Sequence, residues 1–305
     1  GVNPPDWKFR AGGVNDRYDE VVPGHDGAGV VDEVGADVTS YAVGDRVWTV
    51  LAQHGRALGT AAEHTVQPVS RVAALPEGAS FDLGAALGVP AVTAHRALTA
   101  GEDVHRLAPG ALAGRTVLVA GGAGAVGNAA IQLAVWSGAT VVATVSSEEK
   151  AALARAAGAQ HVVDYTAGTR EEVVEAVQAV APDGVDLVVE VSLVDNVDLD
   201  LAVLRPHGTI SFYADTGGSH ASIPVRASFA ANARLQGLIL YTLREDLLRA
   251  AVDDVNDAVA AGALRVGEDA GLPLHHYPLG QTAAAHDAVQ GGAVGKVLLD
   301  LPQQG

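Results

Sequence analysis

The rhythm of apolar residues changes twice along this chain. In the first hundred residues, short apolar runs such as GVVDEVG and DRVWTVLA are broken every few positions by Gly, Pro or Asp, which predicts a compact, mostly antiparallel β-domain. From residue 115 to 241, β-branched runs alternate with stretches whose apolar residues recur at helical spacing. TVLVA (116–120), TVVATV (140–145), HVVDY (161–165), DLVVEV (186–191), GTISFY (208–213) and LQGLILY (235–241) read as strands. NAAIQLAVW, EEKAALARAAG, REEVVEAVQAV and DNVDLDLAVL read as the helices between them. Six strands joined by crossover helices predict an α/β fold with a doubly wound parallel, Rossmann-type sheet. Beyond 241 the pattern gives a helix (about 244–261), a Pro-containing loop, a shorter helix (about 280–290) and a last strand, KVLLDL. The expected organisation is a β-rich domain at 1–90, a dinucleotide-binding domain at 91–242, and a segment at 243–305 that returns to the first domain.

Length and composition narrow the partners. A chain of 305 residues with 49% apolar content can fill two cores. No apolar run approaches the roughly 18 to 20 residues that span a bilayer, so a cytoplasmic protein without a membrane segment is expected. The chain opens on GVNPP without a methionine, inside what reads as a structured segment, and a preceding piece is expected. A net charge of −17, with only Lys8, Lys150 and Lys296 as lysines, repels phosphate backbones and argues against nucleic acid. The acidic, lysine-poor surface suits high salt, and a high-GC genome gives the same shortage of lysine. With no cysteine, disulfides, thiolate nucleophiles and sulfur-ligated metals are all absent, so redox chemistry needs an organic cofactor.

That cofactor has a candidate seat. The first strand of the alternating region runs into GGAGAVG (121–127), in which Gly122, Gly124 and Gly127 fit G-x-G-x-x-G. The pattern assigns one glycine to a tight turn, one to the approach of a pyrophosphate and one to helix–strand contact, with the anion on the helix N-terminus. At the end of the second strand, where a ribose-binding acid is usual, stand Ser146 and Ser147, with Lys150 one turn on. Hydroxyls and a cation suit a 2′-phosphate. The same stretch also reads as a capping box in which Ser146 closes the helix with Glu149, leaving Ser147 and Lys150 free.

The stretch PGHDGAGV places His25 beside Asp26 between glycines, which raises the question of a metal. A single imidazole is too little for catalytic zinc, and the adjacent His275 and His276 would point apart in extended chain.

The segments GVNPPDWKFRAG, PGHDGAGVVDEVG, GDRV, ALGVPAVTAHRAL, GAGAVG and GAVGKVLL resemble, in order and spacing over residues 1–301, the medium-chain dehydrogenase/reductase superfamily. Within it the likeness is to the zinc-free quinone oxidoreductase and zeta-crystallin branch. The resemblance implies a GroES-like catalytic domain, a homodimer, and NADP(H) as cofactor. It places Lys150 and Tyr165 at the 2′-phosphate, Ala123, Gly124, Ala125 and Val126 under the pyrophosphate, and Asn3 and Thr93 near the nicotinamide. On the residues alone, Thr93 also fits a helix start and Asn3 a turn. Where zinc relatives carry Cys, His and Cys, this chain has Asn3, His25 and Val89, which implies no metal. A tyrosine common after the asparagine is replaced by Lys8, beside Trp7.

With no Lewis acid and no readable Ser/Tyr/Lys relay, the expected acceptor is apolar and takes hydride readily, a quinone or a conjugated enone. Asn3 and Trp7 would form the floor beneath it, neither acting as an acid. Two other readings stand beside this one. They are reduction of an enal, enone or enoyl thioester, and a non-catalytic NADPH-binding protein.

Overall fold

The computed structural model describes residues 1–12 and 18–302, and the described residues form two compact units. The first comprises Gly1–Ala91, Arg265–Gly267 and Pro273–Gly305, and the second Val92–Leu264 and Glu268–Leu272. The expected return of 243–305 is therefore corrected. The helix that opens this stretch (Glu245–Ala260) belongs to the second unit, and the chain rejoins the first only from 265. The reason lies in its apolar face: Leu248, Ala251, Val255, Ala258 and Val259 are buried at helical spacing.

In the first unit, α1 (Pro4–Gly12) is followed by β1 (Gly27–Val30), β2 (Arg46–Thr49) and β3 (Val72–Ala74), which form an antiparallel sheet in that order. Trp48, fully buried on β2, anchors it. The antiparallel expectation holds there, but β10 (Leu274–Pro278) and β11 (Lys296–Asp300) pair in parallel. The helix α9 (Thr282–Gln290) that joins them is the crossover such pairing needs. Val2 bridges Val297, and Ala285 on α9 is buried with both. Thus the first and last described segments share one small core. The helix α2 (Phe81–Leu98) carries the division between the units, between Ala91 and Val92.

In the second unit, β4 (Thr116–Ala120), β5 (Thr140–Val145), β6 (His161–Asp164), β7 (Val185–Glu190), β8 (Leu204–Phe212) and β9 (Arg234–Gly237) form a parallel sheet in the order β6-β5-β4-β7-β8-β9. This is the predicted doubly wound arrangement, with the change of direction between β4 and β7. Central strands are buried along nearly their whole length because helices cover the sheet. The covering helices are α3 (Ala125–Trp136), α4 (Glu148–Ala156), α5 (Arg170–Val180) and α6 (Leu193–Val203). A capping box starts α5, with Thr169 and Glu172 exchanging side-chain and backbone bonds. The strand predicted at 208–213 begins earlier, at Leu204. It pairs Val185 with Leu204, then resumes at Leu187 with Thr209, and His207 in between takes a left-handed φ of 65°. A short α7 (Val225–Ala230) leads to β9, and the helix at Glu245–Ala260 is α8. Among the described residues, no helix is long and apolar enough to cross a membrane.

One buried carboxylate ties α2 to α8. Asp254 receives Arg106 Nε and the Leu107 amide at 2.7 Å each, and lies 2.7 Å from His95 Nε2. Burial lowers the His95 pKa against the pull of Asp254, so the cluster keeps a neutral imidazole and one arginine–carboxylate pair. Asp254→Ala strands these donors. A loss of about 3 to 5 kcal/mol is expected, read from the urea midpoint of the second unit followed by circular dichroism.

Candidate functional site

The glycine turn sits at the carboxyl end of β4, beside the change of direction in the sheet. Its glycines divide the work differently from the expectation. The left-handed residue of the turn is Gly121 (φ 67°), which lies outside the G-x-G-x-x-G triplet. Gly122 serves packing: a Cβ there would lie 2.9 Å from the Ala143 side chain and 3.2 Å from that of Ile131. Gly127 lets α3 close on the turn, since a Cβ would meet Gly121 O at 2.3 Å. Gly124 is exposed and a Cβ there would meet only Gly121 O, at 3.4 Å, as suits a position over which a ligand passes. Gly124 also precedes α3 without a side-chain cap, so the amides of Ala125, Val126 and Gly127 open the helix with no hydroxyl or carboxylate closing it. An uncapped N-terminus at a switch point is a seat for a pyrophosphate. Ala123 is buried within the turn.

The backbone brings the remaining predicted cofactor residues of this unit to the same end of the sheet. The Gly122 amide donates to Thr144 O at 3.1 Å, and the Tyr165 amide to Val145 O at 3.0 Å, so the glycine turn, 144–147 and Tyr165 lie side by side. Here the capping expectation is corrected: Ser147, not Ser146, caps α4, its Oγ accepting the Lys150 amide at 3.2 Å. Ser147 stands immediately before the first helical residue, which is where a hydroxyl reaches the third amide of the turn. Ser146 is thereby left to the Lys150 ammonium, whose Nζ donates to its Oγ at 2.7 Å. Tyr165 is half exposed just beyond β6. A cation, a hydroxyl and a phenol stand at the end of the second and third strands, and no carboxylate replaces them at 146 or 147. Thr93 is 5% exposed in the C-terminal half of α2, inside the helix rather than at its start.

Two acidic residues in this unit escaped the sequence reading. Glu190 ends β7, and Asp200 lies on α6; both are fully buried. Glu190 Oε1 accepts from the Ser192 amide and from Asn196 Nδ2 at 3.1 Å, while Glu190 Oε2 and both Asp200 oxygens have no protein donor. Desolvation, then the charge of Glu190, pushes the Asp200 carboxyl well above its usual range, and desolvation raises Glu190 too. Two carboxyls in this setting share a proton. Val191, the next residue, meets Gly121: a Cβ on the glycine would lie 3.3 Å from Val191 Cγ1. The pair therefore braces the strand end beside the glycine turn.

In the first unit, Asn3 is the residue before α1, its carbonyl accepting from the Asp6 amide at 3.0 Å. It is 2% exposed and its carboxamide is bonded at both ends: Nδ2 donates to Asp26 Oδ2 at 2.7 Å, and Oδ1 accepts from Lys296 Nζ at 2.7 Å. Asp26 Oδ1 accepts the Val89 amide at 2.8 Å. This close approach needs Gly88, where a Cβ would fall 2.1 Å from Asp26 Oδ1. His25 stacks on Phe9 and its Nδ1 lies 2.7 Å from Asp6 Oδ1. Burial works to raise the Asp6 carboxyl, but the bond and charge of His25, with the Asn3 amide, hold it below the usual range. Trp7 is half-buried on α1.

Zinc does not fit these donors. The Asn3 carboxamide is committed to Asp26 and Lys296, Val89 offers only its backbone, and a buried ammonium stands beside Asp26. Among the described residues no group of three or more His, Asp or Glu could hold a metal. His275 and His276 point apart as expected, to Val294 O and to Asp300.

Residues 1–77 match the alcohol dehydrogenase GroES-like domain, and residues 125–257 the zinc-binding dehydrogenase family. The chain is 31% identical over 304 residues to the quinone oxidoreductase of Sus scrofa, covering 98% of this chain and 86% of that protein. It is 31% identical over 290 residues to a 2-haloacrylate reductase of a Burkholderia species, covering 93% and 81%. The solved structure of mycobacterial Rv1454c in complex with NADPH superposes with a TM-score of 0.79 at 29% identity, covering 98% of this chain and 88% of that one.

The shared proton of Glu190 and Asp200 has a measurable consequence. Unfolded, both carboxyls ionise near pH 4 (about 3.9 and 4.3); folded, the pair keeps its proton to higher pH. The native state then holds more protons than the unfolded one, so this pair makes stability fall as pH rises from about 4 towards the folded pKa. Asp200→Asn removes the part due to Asp200 and leaves the part due to the burial of Glu190. Denaturation midpoints followed across this range should slope less in the variant, and an unchanged slope would count against the shared proton.

Proposed function

The chain belongs to the quinone oxidoreductase family of medium-chain dehydrogenases and reductases, and we propose that it is an NADPH-dependent, metal-independent reductase of quinones. The observation that carries this reading is the commitment of Asn3 to Asp26 and Lys296 where zinc relatives hold their metal. Without a Lewis acid, an unactivated alcohol keeps its proton, with a pKa near about 16, whereas a quinone or conjugated carbonyl spreads the charge that develops on its oxygen. The likeness to a quinone oxidoreductase supports a quinone first. The likeness to a 2-haloacrylate reductase supports a second reading, reduction of a carbon–carbon double bond conjugated to a carbonyl or carboxylate.

In this reading NADPH, when bound, supplies the hydride. The residues do the placing. The uncapped start of α3, with Gly124 open above it, receives the pyrophosphate, and Ala123, Ala125 and Val126 line it. Lys150 and Ser146, already paired at 2.7 Å, hold the 2′-phosphate with Tyr165, and Ser147 keeps α4 in register. The NADPH complex of Rv1454c supports the same choice of cofactor. In the second unit Thr93 orients the nicotinamide, and in the first Asn3 positions the acceptor, with Trp7 as an apolar surface beneath it. The protein acts as a homodimer: β9 is an edge strand, and Val225, Phe229 and Ile239 in the segment around it are exposed.

Two measurements test this reading. Lys150→Ala should weaken NADPH binding ten- to a hundredfold, the size of a lost charge-assisted contact of about 1.5 to 3 kcal/mol, and scarcely touch NADH. Equal weakening of both would assign Lys150 to the helix alone. Second, NADPH oxidation should proceed with quinones or conjugated enones in the presence of a chelator, and primary alcohols should not be oxidised at a comparable rate. Robust chelator-sensitive alcohol oxidation, with no quinone or enone turnover, would sink the reading; no turnover with any acceptor would favour a binding protein.

A further inference from the structure

Lys296 is the least expected buried side chain in the molecule. It opens β11 at 1% exposure, and Asp26 beside it is fully buried. Taking an ammonium and a carboxylate out of water costs several kcal/mol per ion, so the arrangement calls for a reason beyond pairing. The distances supply one. The direct contact between Nζ and Asp26 Oδ2 is 3.3 Å, whereas the bonds from each charge to Asn3 are both 2.7 Å. The two ions grip the carboxamide between them more closely than they grip each other.

This grip has a direction. An ammonium can only donate and an ionised carboxylate can only accept. With Oδ1 on Lys296 and Nδ2 on Asp26, both contacts are attractive. A half-turn of the amide would set NH₂ against NH₃⁺ and oxygen against a carboxylate, so the charges fix which face of the amide is the donor. The surroundings fix the rest. The Asn3 amide donates to Asp6 Oδ2 at 2.7 Å, and Asp6 is held in turn by His25. Asp26 cannot swing away, because its other oxygen is bonded to the Val89 amide with Gly88 against it. The Lys296 amide donates to Pro273 O at 2.8 Å. Asn3, Asp26, Val89 and Lys296, all within the first unit, thus meet in one hydrogen-bonded network centred on the two charges.

We propose that Lys296 and Asp26 are positioning residues that lock the Asn3 carboxamide in a single orientation, so that the second hydrogen on Nδ2 serves as a fixed donor to a carbonyl oxygen of the acceptor. The inference rests on the reading above in which Asn3 takes part in the reaction, and adds that its part depends on two buried charges that touch no ligand. A donor held in place costs nothing to orient when the reaction occurs, which is why a charged clamp is worth its burial.

The test is a double-mutant cycle between Asn3→Ala and the charge-free pair Lys296→Met with Asp26→Asn, in which neither ion is left without its counter-ion. Steady-state kcat with a quinone, NADPH affinity by fluorescence, and thermal midpoint are read for each. Asn3→Ala should lower kcat by about tenfold, the rate equivalent of one hydrogen bond, with NADPH affinity nearly unchanged. The charge-free pair should lower kcat by a similar factor, and the triple variant should lose no more than either; the thermal midpoint is read alongside, to separate a loss of rate from a loss of folded protein. Lys296→Arg, which keeps a buried donor cation, should recover part of the rate. Losses in kcat that multiply in the triple variant, or a charge-free pair that lowers only the thermal midpoint, would overturn the positioning role. An Asn3→Ala variant with undiminished kcat would instead remove the reading on which the inference stands.

Discussion

A carboxylate buried without any exposure must find its donors inside the protein, and Asp26 finds three: the Asn3 carboxamide, the Val89 amide and the Lys296 ammonium. Each comes from a different part of the chain, and each imposes a local feature that otherwise looks arbitrary. The Val89 amide is reachable only because residue 88 is a glycine. The ammonium is present only because β11 places its first residue inward, paired in parallel with β10. The carboxamide is in place because Asp6 holds the backbone of Asn3 at the start of α1. Removal of any one leaves a charge or a strong dipole unpaired, at a cost larger than an ordinary core contact. The first unit is thus organised around satisfying one charge.

The second unit is organised around backbone approach. A doubly wound sheet exposes a crevice where its strand order reverses, and here the crevice is bounded by the glycine turn after β4 and the Glu190 corner after β7. Gly127 brings α3 within contact of the turn, while Gly124 keeps the start of that helix open. The Glu190–Asp200 pair lies behind the opposite lip, where Val191 meets Gly121. A shared proton there reduces the charge of two buried acids to one, in a chain whose net charge of −17 would otherwise disfavour burying two carboxylates without a cation.

Much of this was legible beforehand, for definite reasons. Central parallel strands are buried on both faces, so TVLVA and TVVATV read as unbroken apolar runs and their limits match β4 and β5. The last two strands were less exact. β8 begins four residues early because a bulge at His207 interrupts the pairing, and β9 ends at Gly237 because the apolar LILY that follows leaves the sheet. The helix α1 was not foreseen, since PPDWKFRAG carries little helical patterning and is fixed instead by Asp6 at its start. Of the site, local contacts were accessible: the seat of Lys150 beside Ser146 follows from a four-residue spacing, although the cap itself fell on the neighbouring serine. What escaped was long-range. Lys296 lies 293 residues from Asn3 and 270 from Asp26, and no periodicity in one sequence links them. Its only trace was a lysine in a chain that has three, standing before an apolar run.

The same network accounts for the place of His25, the histidine of PGHDGAGV, without a metal. In a metal centre, the ring nitrogen opposite the metal donates to a carboxylate that orients the imidazole. His25 retains such a contact through Nδ1 to Asp6, and Asp6 in turn carries the backbone of Asn3. His25 is thus held in place without a metal, and its carboxylate partner has a second task at the start of α1. The positive charge that stands against Asp26 is that of Lys296. What the network holds at this place is a neutral carboxamide, gripped between an ammonium and a carboxylate that neutralise each other.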